Sequence, residues 1–184
     1  MEKPIDAARR EASLDLARAS LQGHSTLRLR VISSSMLPTL HPADVVVVQS
    51  VPLESLRRGD LIVIQHGAEL ITHRLVAIDA RGWRTKGDNC VAADPVWPAA
   101  IMLGRVAAIE RGARLIDLQD RRWQRLNRWL GGLNWLQTSL YQRSRAVKIR
   151  LVGPQPRPWT HTLVRLSGVP FRALIKLSLL FAAK

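Results

Sequence analysis

ISSSMLPTLHPADVVVV, residues 32–48, decides how the rest of the chain is read. Three serines, a methionine and Leu-Pro-Thr-Leu, followed by a charge and four valines, make an odd start for a strand. The stretch is either a serine-rich turn entering a β-sheet or a turn that presents a hydroxyl for attack.

Strand signals surround it. Upstream, TLRLRVI alternates Leu27, Leu29 and Val31 with Arg28 and Arg30, the period of a strand with one wet face. Downstream come LESLRRGD as a turn, LIVIQH (61–66), a Gly67 hairpin and ELITHRLVAI (69–78). A turn at Arg81-Gly82 leads to WRTKGD, and IMLGRVAAIE and ARLIDL follow around a turn at Arg111-Gly112. Short β runs separated by Gly, Asp and Pro predict a mainly β fold over residues 27–118, antiparallel and partly closed. No βαβ rhythm and no internal repeat interrupts it.

The flanks have a different character. MEKPIDAARREASLDLARASLQGH is too charged for a signal peptide and reads as a short surface helix within residues 1–26. From Asp120 the period becomes helical, with Trp123, Leu126, Leu130, Leu133 and Leu140 on one stripe and a break or kink expected at Gly131-Gly132. AVKIRLV reads as a strand and GPQPRPW as a Pro-rich linker, and the chain ends in an apolar segment carrying Arg172 and Lys176. Residues 119–184 therefore form a basic, Trp-rich extension with amphipathic helices.

Charge follows the same division. The formal net charge is +14, yet residues 1–109 carry 13 basic and 11 acidic side chains while residues 110–184 carry 15 and 3. No run reaches the roughly 18 apolar residues of a membrane span. Trp123, Trp129, Trp135 and Trp159 among arginines point to a peripheral membrane surface or a membrane-protein partner, with packing on the β-core as the plainer role. Nucleic acid is the least favoured partner. The single Cys90 excludes an internal disulfide, and no zinc-type spacing joins His41, His66, His73 and Cys90, so neither metal nor cofactor is expected.

A serine becomes a nucleophile only when a base takes its proton and a third group holds that base. For Ser35 the candidate base is His73, fixed within a strand, and the candidate orienters are Asp88 and Asp94 in TKGDNCVAADP. Each piece also has an ordinary role: a serine turn, a satisfied sheet histidine, Asx turns beside Gly87 and Pro95. Lys86 is a further conceivable base if strongly desolvated.

Taken together, SSSMLPTL, RRGDLIVIQ, ITHRLVAI and TKGDNCVAAD resemble, in order, the conserved boxes of the signal peptidase I family of serine proteases, over about residues 28–110. IMLGRVAAI resembles the strand that closes that family's catalytic core. A histidine before Arg74, where bacterial-type members have lysine, resembles the archaeal and endoplasmic-reticulum-type branch. The resemblance implies a Ser35 nucleophile, a His73 base, Asp94 as third catalytic acid, Asp88 as supporting carboxylate, and an oxyanion hole of Ser33 Oγ with the Ser35 N–H. It also implies an extended peptide or precursor-protein substrate with small residues before the cut. Two departures stand out: Ser34 replaces a glycine, and Pro42-Ala43-Asp44 replaces a Gly-Asp turn. No N-terminal anchor is read, which favours a specialised maturation protease. The alternative is a peptide- or protein-binding module that keeps the fold without catalysis, and related self-cleaving repressor domains share the β-architecture.

Overall fold

LIVIQH carries four consecutive apolar residues because both faces of that strand are covered. In the computed structural model, Leu61 and Val63 join one buried cluster, with Met36, Leu40, Val46 and Val106, while Ile62 and Ile64 join a second, with Leu75, Trp83 and Trp97. Successive strand side chains point to opposite faces, so one unbroken apolar run feeds two cores. The structure describes residues 26–67, 69–79, 82–98, 101–152 and 169–182, with Ala19. The expected N-terminal helix and Pro-rich linker lie outside the described residues.

Eight strands form one antiparallel sheet: β1 (Thr26–Arg30), β2 (Val45–Gln49), β3 (Leu61–His66), β4 (Glu69–Asp79), β5 (Gly82–Lys86), β6 (Val96–Trp97), β7 (Met102–Arg111) and β8 (Arg114–Asp117). The order is β1-β2-β7-β3-β4-β5-β6, with β8 also paired to β7, so the sheet is open. The mainly β, antiparallel expectation holds, although the sheet does not close. Two edges matter for the site. β1 ends the sheet, and β5 pairs only with Arg74–Asp79 of β4, leaving the Glu69–His73 half with β3 alone.

Helix α1 (Arg121–Val152) starts where the sequence changes character, and α2 (Val169–Ala182) packs on it through Leu130, Leu133 and Ile175. Asp120 caps α1: its side chain accepts the Arg122 N–H at 2.6 Å and its carbonyl the Gln124 N–H at 2.8 Å.

Three expectations for this region are corrected. Gly131-Gly132 does not break α1, and Gly131 serves close contact rather than bending. A Cβ on Gly131 would lie 2.6 Å from Gly59 Cα, and a Cβ on Gly59 would lie 2.1 Å from the Asn127 carbonyl oxygen. AVKIRLV is the last turns of α1, since no strand edge meets it and an existing helix extends more easily than a new element nucleates. Leu140 leaves the buried stripe and lies half exposed; Asn127, Asn134, Gln137 and Thr138 are buried with Leu130 and Leu133 instead. That polar choice follows from what α1 covers.

Candidate active site

His73 and Arg74 are adjacent on β4, so their side chains leave opposite faces of the strand. Each organises its own network.

On the His73 side, the turn before β2 brings Ser35 Oγ to 3.2 Å from His73 Nε2, and Ser33 Oγ lies 3.2 Å from Ser35 Oγ. His73 Nδ1 lies 2.6 Å from Asp94 Oδ2. Asp94 also accepts the Thr85 hydroxyl at 2.6 Å, while Thr85 Oγ1 accepts the Trp97 indole N–H at 2.9 Å. Indole nitrogen only donates, so the Thr85 proton is directed to Asp94. A carboxylate held this way accepts from Nδ1–H and leaves the Nε2 lone pair facing Ser35. The short β6 strand, which the sequence did not signal, places Trp97 for this.

Local backbone fits the approach. Asn89 N–H donates to the Ser35 carbonyl at 2.8 Å, and Asn89 Nδ2 to that of Ser34 at 3.2 Å. Gly87 leaves room, since a Cβ there would meet the Ser35 carbonyl oxygen at 2.6 Å and His73 Nε2 at 3.1 Å. Ser34 has an ordinary φ, so the glycine it replaces is not required for turn geometry. The second departure differs: Ala43 has φ 77°, the left-handed region that favours glycine. Asp44 secures that turn by accepting from the His41 N–H and from Arg111 at 2.7 Å. Burial pulls the Asp44 carboxyl upward, but those Arg111 and backbone bonds outweigh it and hold the group below its ordinary range.

On the Arg74 side, all five guanidinium donors are matched. Nε and Nη2 reach the two Asp88 oxygens at 2.8 and 2.7 Å, Nη1 reaches Gly59 O at 2.8 Å and Asn127 Oδ1 at 2.9 Å, and Nη2 also reaches Thr39 Oγ1 at 3.2 Å. Thr39 in turn donates to Asp88 at 2.5 Å. Lys86 stands directly across from Arg74 in the β4–β5 register, a like-charge pair that is unfavourable by itself. Helix α1 resolves it. Lys86 Nζ donates to Asn134 Oδ1 at 2.6 Å and Gln137 Oε1 at 2.9 Å, and Asn134 Nδ2 donates to Asp88 Oδ1 at 2.9 Å.

Burial alone would raise the Asp88 carboxyl; Arg74 overrides that and holds it below its ordinary value. Burial pushes Lys86 down to about 8, with Asp88 pulling the other way. Lys86 is thus desolvated, as a base would have to be, but its hydrogen bonds go to α1 and to the Gly87 carbonyl. Burial raises the Cys90 thiol, which argues against a thiolate nucleophile beside Gly87.

The structure therefore brings together Ser33, Ser35, His73 and Asp94, and places Asp88 in the buried Arg74 pair rather than on the imidazole. Arg74 is ion-paired with Asp88, and Asp60 secures its own turn by accepting the Arg57 N–H at 2.8 Å. Sequence reading missed Thr39, Thr85, Asn127, Asn134 and Gln137. Asn127 and Asn134, seven residues apart within an apolar helical stripe, were the available signal. Among the described residues no group of three or more His, Cys, Asp or Glu is placed to hold a metal ion.

A cleft of about 700 Å³ ends at Ser35 and His73, walled by Leu29–Ser33 on one side and Glu69–Thr72 on the other. Met36, Leu40, Val46 and Leu70 contribute its apolar surface. The family model described as Peptidase S24-like matches residues 2–107. The chain belongs to the Peptidase S24-like family. This family lies in the superfamily that also holds the signal peptidases, and the fold is of the serine-protease type. No curated protein and no solved structure matches the chain. The S24-like match ends within β7, so the α1 residues beneath the site lie outside it.

Proposed function

We infer that the protein is a serine endopeptidase, similar in mechanism to the histidine-type signal peptidases, that cleaves an extended peptide or precursor. The observation that carries this reading is the 3.2 Å approach of Ser35 Oγ to an imidazole whose other nitrogen sits 2.6 Å from Asp94. Those separations suit proton transfer before substrate tightens them.

The substrate enters the cleft as an added strand. The open edge of β1 and the half of β4 without β5 offer unpaired backbone groups on either side of it. His73 Nε2 takes the Ser35 proton as Oγ attacks the scissile carbonyl carbon. The carbonyl oxygen gains the negative charge and rests on the Ser35 N–H and the Ser33 hydroxyl. Among the described residues, that N–H has no other acceptor. Aimed donors of this kind commonly supply a large part of the barrier reduction. Asp94 stabilises the imidazolium, which then passes its proton to the leaving amine as the C–N bond breaks. An ester remains on Ser35. His73 next removes a proton from water, the hydroxide attacks the ester, and the freed Oγ recovers a proton. Alanine-like residues next to the cut, implied by the signal peptidase resemblance, are the expected preference.

The test compares wild type with Ser35→Ala on a mixture of proteome-derived peptides, scored by mass spectrometry for new N-termini. Wild type is expected to produce a defined set and the variant none. Identical products from both would refute the reading in favour of a binding module.

A further inference from the structure

Helix α1 carries one broad apolar stripe, and α2 covers only one flank of it. Leu130 and Leu133, on that flank, are buried against Ile175. On the outer side, Trp129, Leu136, Leu140 and Val147 are 57%, 43%, 49% and 54% exposed. At 3.6 residues per turn these four fall within about 40° of one another, in a row about 27 Å long. The row lies on roughly the opposite side of the helix from Asn127, Asn134 and Thr138. Isolated exposed apolar residues need no explanation, but four aligned over five turns of one helix do.

The surroundings of the row indicate what covers it. All 32 residues of α1 include eight Lys and Arg and no Asp or Glu. Arg125 and Arg143 are exposed beside the apolar row, as is Arg150 near its end. A narrow apolar row bordered by guanidiniums suits a helix lying flat at the boundary between headgroups and acyl chains. Its Trp and Leu side chains would enter the acyl region while arginines meet anionic headgroups. A protein partner would need matching shape and acidic groups along the full row. A lipid surface needs only negative charge and depth. No helix among the described residues is long and apolar enough to cross a membrane.

We propose that the Trp129–Leu136–Leu140–Val147 face of α1 is a lipid-binding surface that holds this protein on anionic bilayers. It is independent of the catalytic reading, because none of these residues reaches the Ser35–His73 site. Deleting residues 120–184 is not a suitable test, since Asn127, Asn134 and Gln137 complete the core network.

The full chain is instead mixed with vesicles of about three parts phosphatidylcholine to one part phosphatidylglycerol, with pure phosphatidylcholine as control, and bound protein is measured by flotation. Binding to the anionic vesicles is expected, weakening as salt is raised. The variant Leu136→Gln/Leu140→Gln/Val147→Gln should lose about tenfold or more of this binding with its thermal midpoint little changed, because these side chains are already exposed. Arg125→Gln/Arg143→Gln should lose the preference for anionic over neutral vesicles while the fold persists. Equal binding by wild type and the apolar variant overturns the proposal. So does a wild type that ignores vesicles but forms a dimer through this row, or one that binds a duplex oligonucleotide in preference to vesicles.

Discussion

The two sides of β4 are built to opposite standards. Around Arg74 every donor is matched and every charged group is buried. Around His73 the chain of contacts ends in two serine hydroxyls at 3.2 Å, beside an open cleft. A buried ionic cluster is stable only when completely satisfied, and it is then rigid. A reacting hydroxyl needs unused hydrogen-bonding capacity and room for a substrate. The two share the 85–94 segment: Lys86 and Asp88 anchor it on one side, while Thr85 and Asp94 hold the imidazole on the other. The difference teaches that the adaptable half is held in place by the half that cannot adapt.

The largest expected effect breaks the reactive half alone. His73→Ala should lower kcat/KM by about ten-thousandfold, and adding Ser35→Ala should lower it little further, because the residues act as a unit. Asp94 keeps its Thr85 partner and gains water, so the loss of stability should stay within about 1 kcal/mol, checked by urea unfolding. The converse change is Arg74→Met. It takes the guanidinium from buried Asp88, leaving it only the Thr39 and Asn134 bonds, and it should destabilise by about 3–5 kcal/mol in the same unfolding assay.

Adjacent glycines sharpen the role of α1. Gly131→Ala drives a methyl into the Gly59 backbone at 2.6 Å and should destabilise by about 1–3 kcal/mol. Gly132→Ala meets nothing within 4 Å and should stabilise by up to about 1 kcal/mol through helix propensity. Opposite signs in the thermal midpoints check the close approach of helix and loop.

A further effect concerns pH. Lys86 is lowered from 10.5 to about 8 in the folded protein, so between those values the unfolded chain binds more protons. Stability contributed at this position therefore rises with pH across that window. Wild type should gain stability relative to Lys86→Met between pH 8 and pH 10.5, measured as the change in the difference between their unfolding midpoints. Parallel curves would show that Lys86 titrates as an exposed lysine does.

Seven of the eight strands were legible because they alternate or are β-branched between Gly, Asp and Pro turns, whereas β6, two residues long, is too short to carry a period. The sequence made Ser35, His73 and Asp94 legible only together, as ordered boxes, since a serine, a histidine and an aspartate each have ordinary roles. Ala43 shows the limit of reading turns: a missing glycine was noticed, but not that alanine would occupy a positive φ. The polar face of α1 was hidden for a physical reason. Asn127, Asn134 and Gln137 look like surface residues until the charges they cover are known, and their partners Arg74, Lys86 and Asp88 lie 46 to 53 positions earlier. Gly131 was read as a breaker on local propensity, while its use is set by the loop it touches.

The central claim is that Ser35 becomes covalently acylated through His73. Intact-mass analysis after rapid acid quench with an activated peptide ester tests this most directly, with fragmentation to locate the adduct. The account expects one acyl group on Ser35 in wild type and in Arg125→Gln/Arg143→Gln, and none in His73→Ala. An adduct located on Cys90 or Lys86, or one formed on Ser35 equally well without the imidazole, would contradict it.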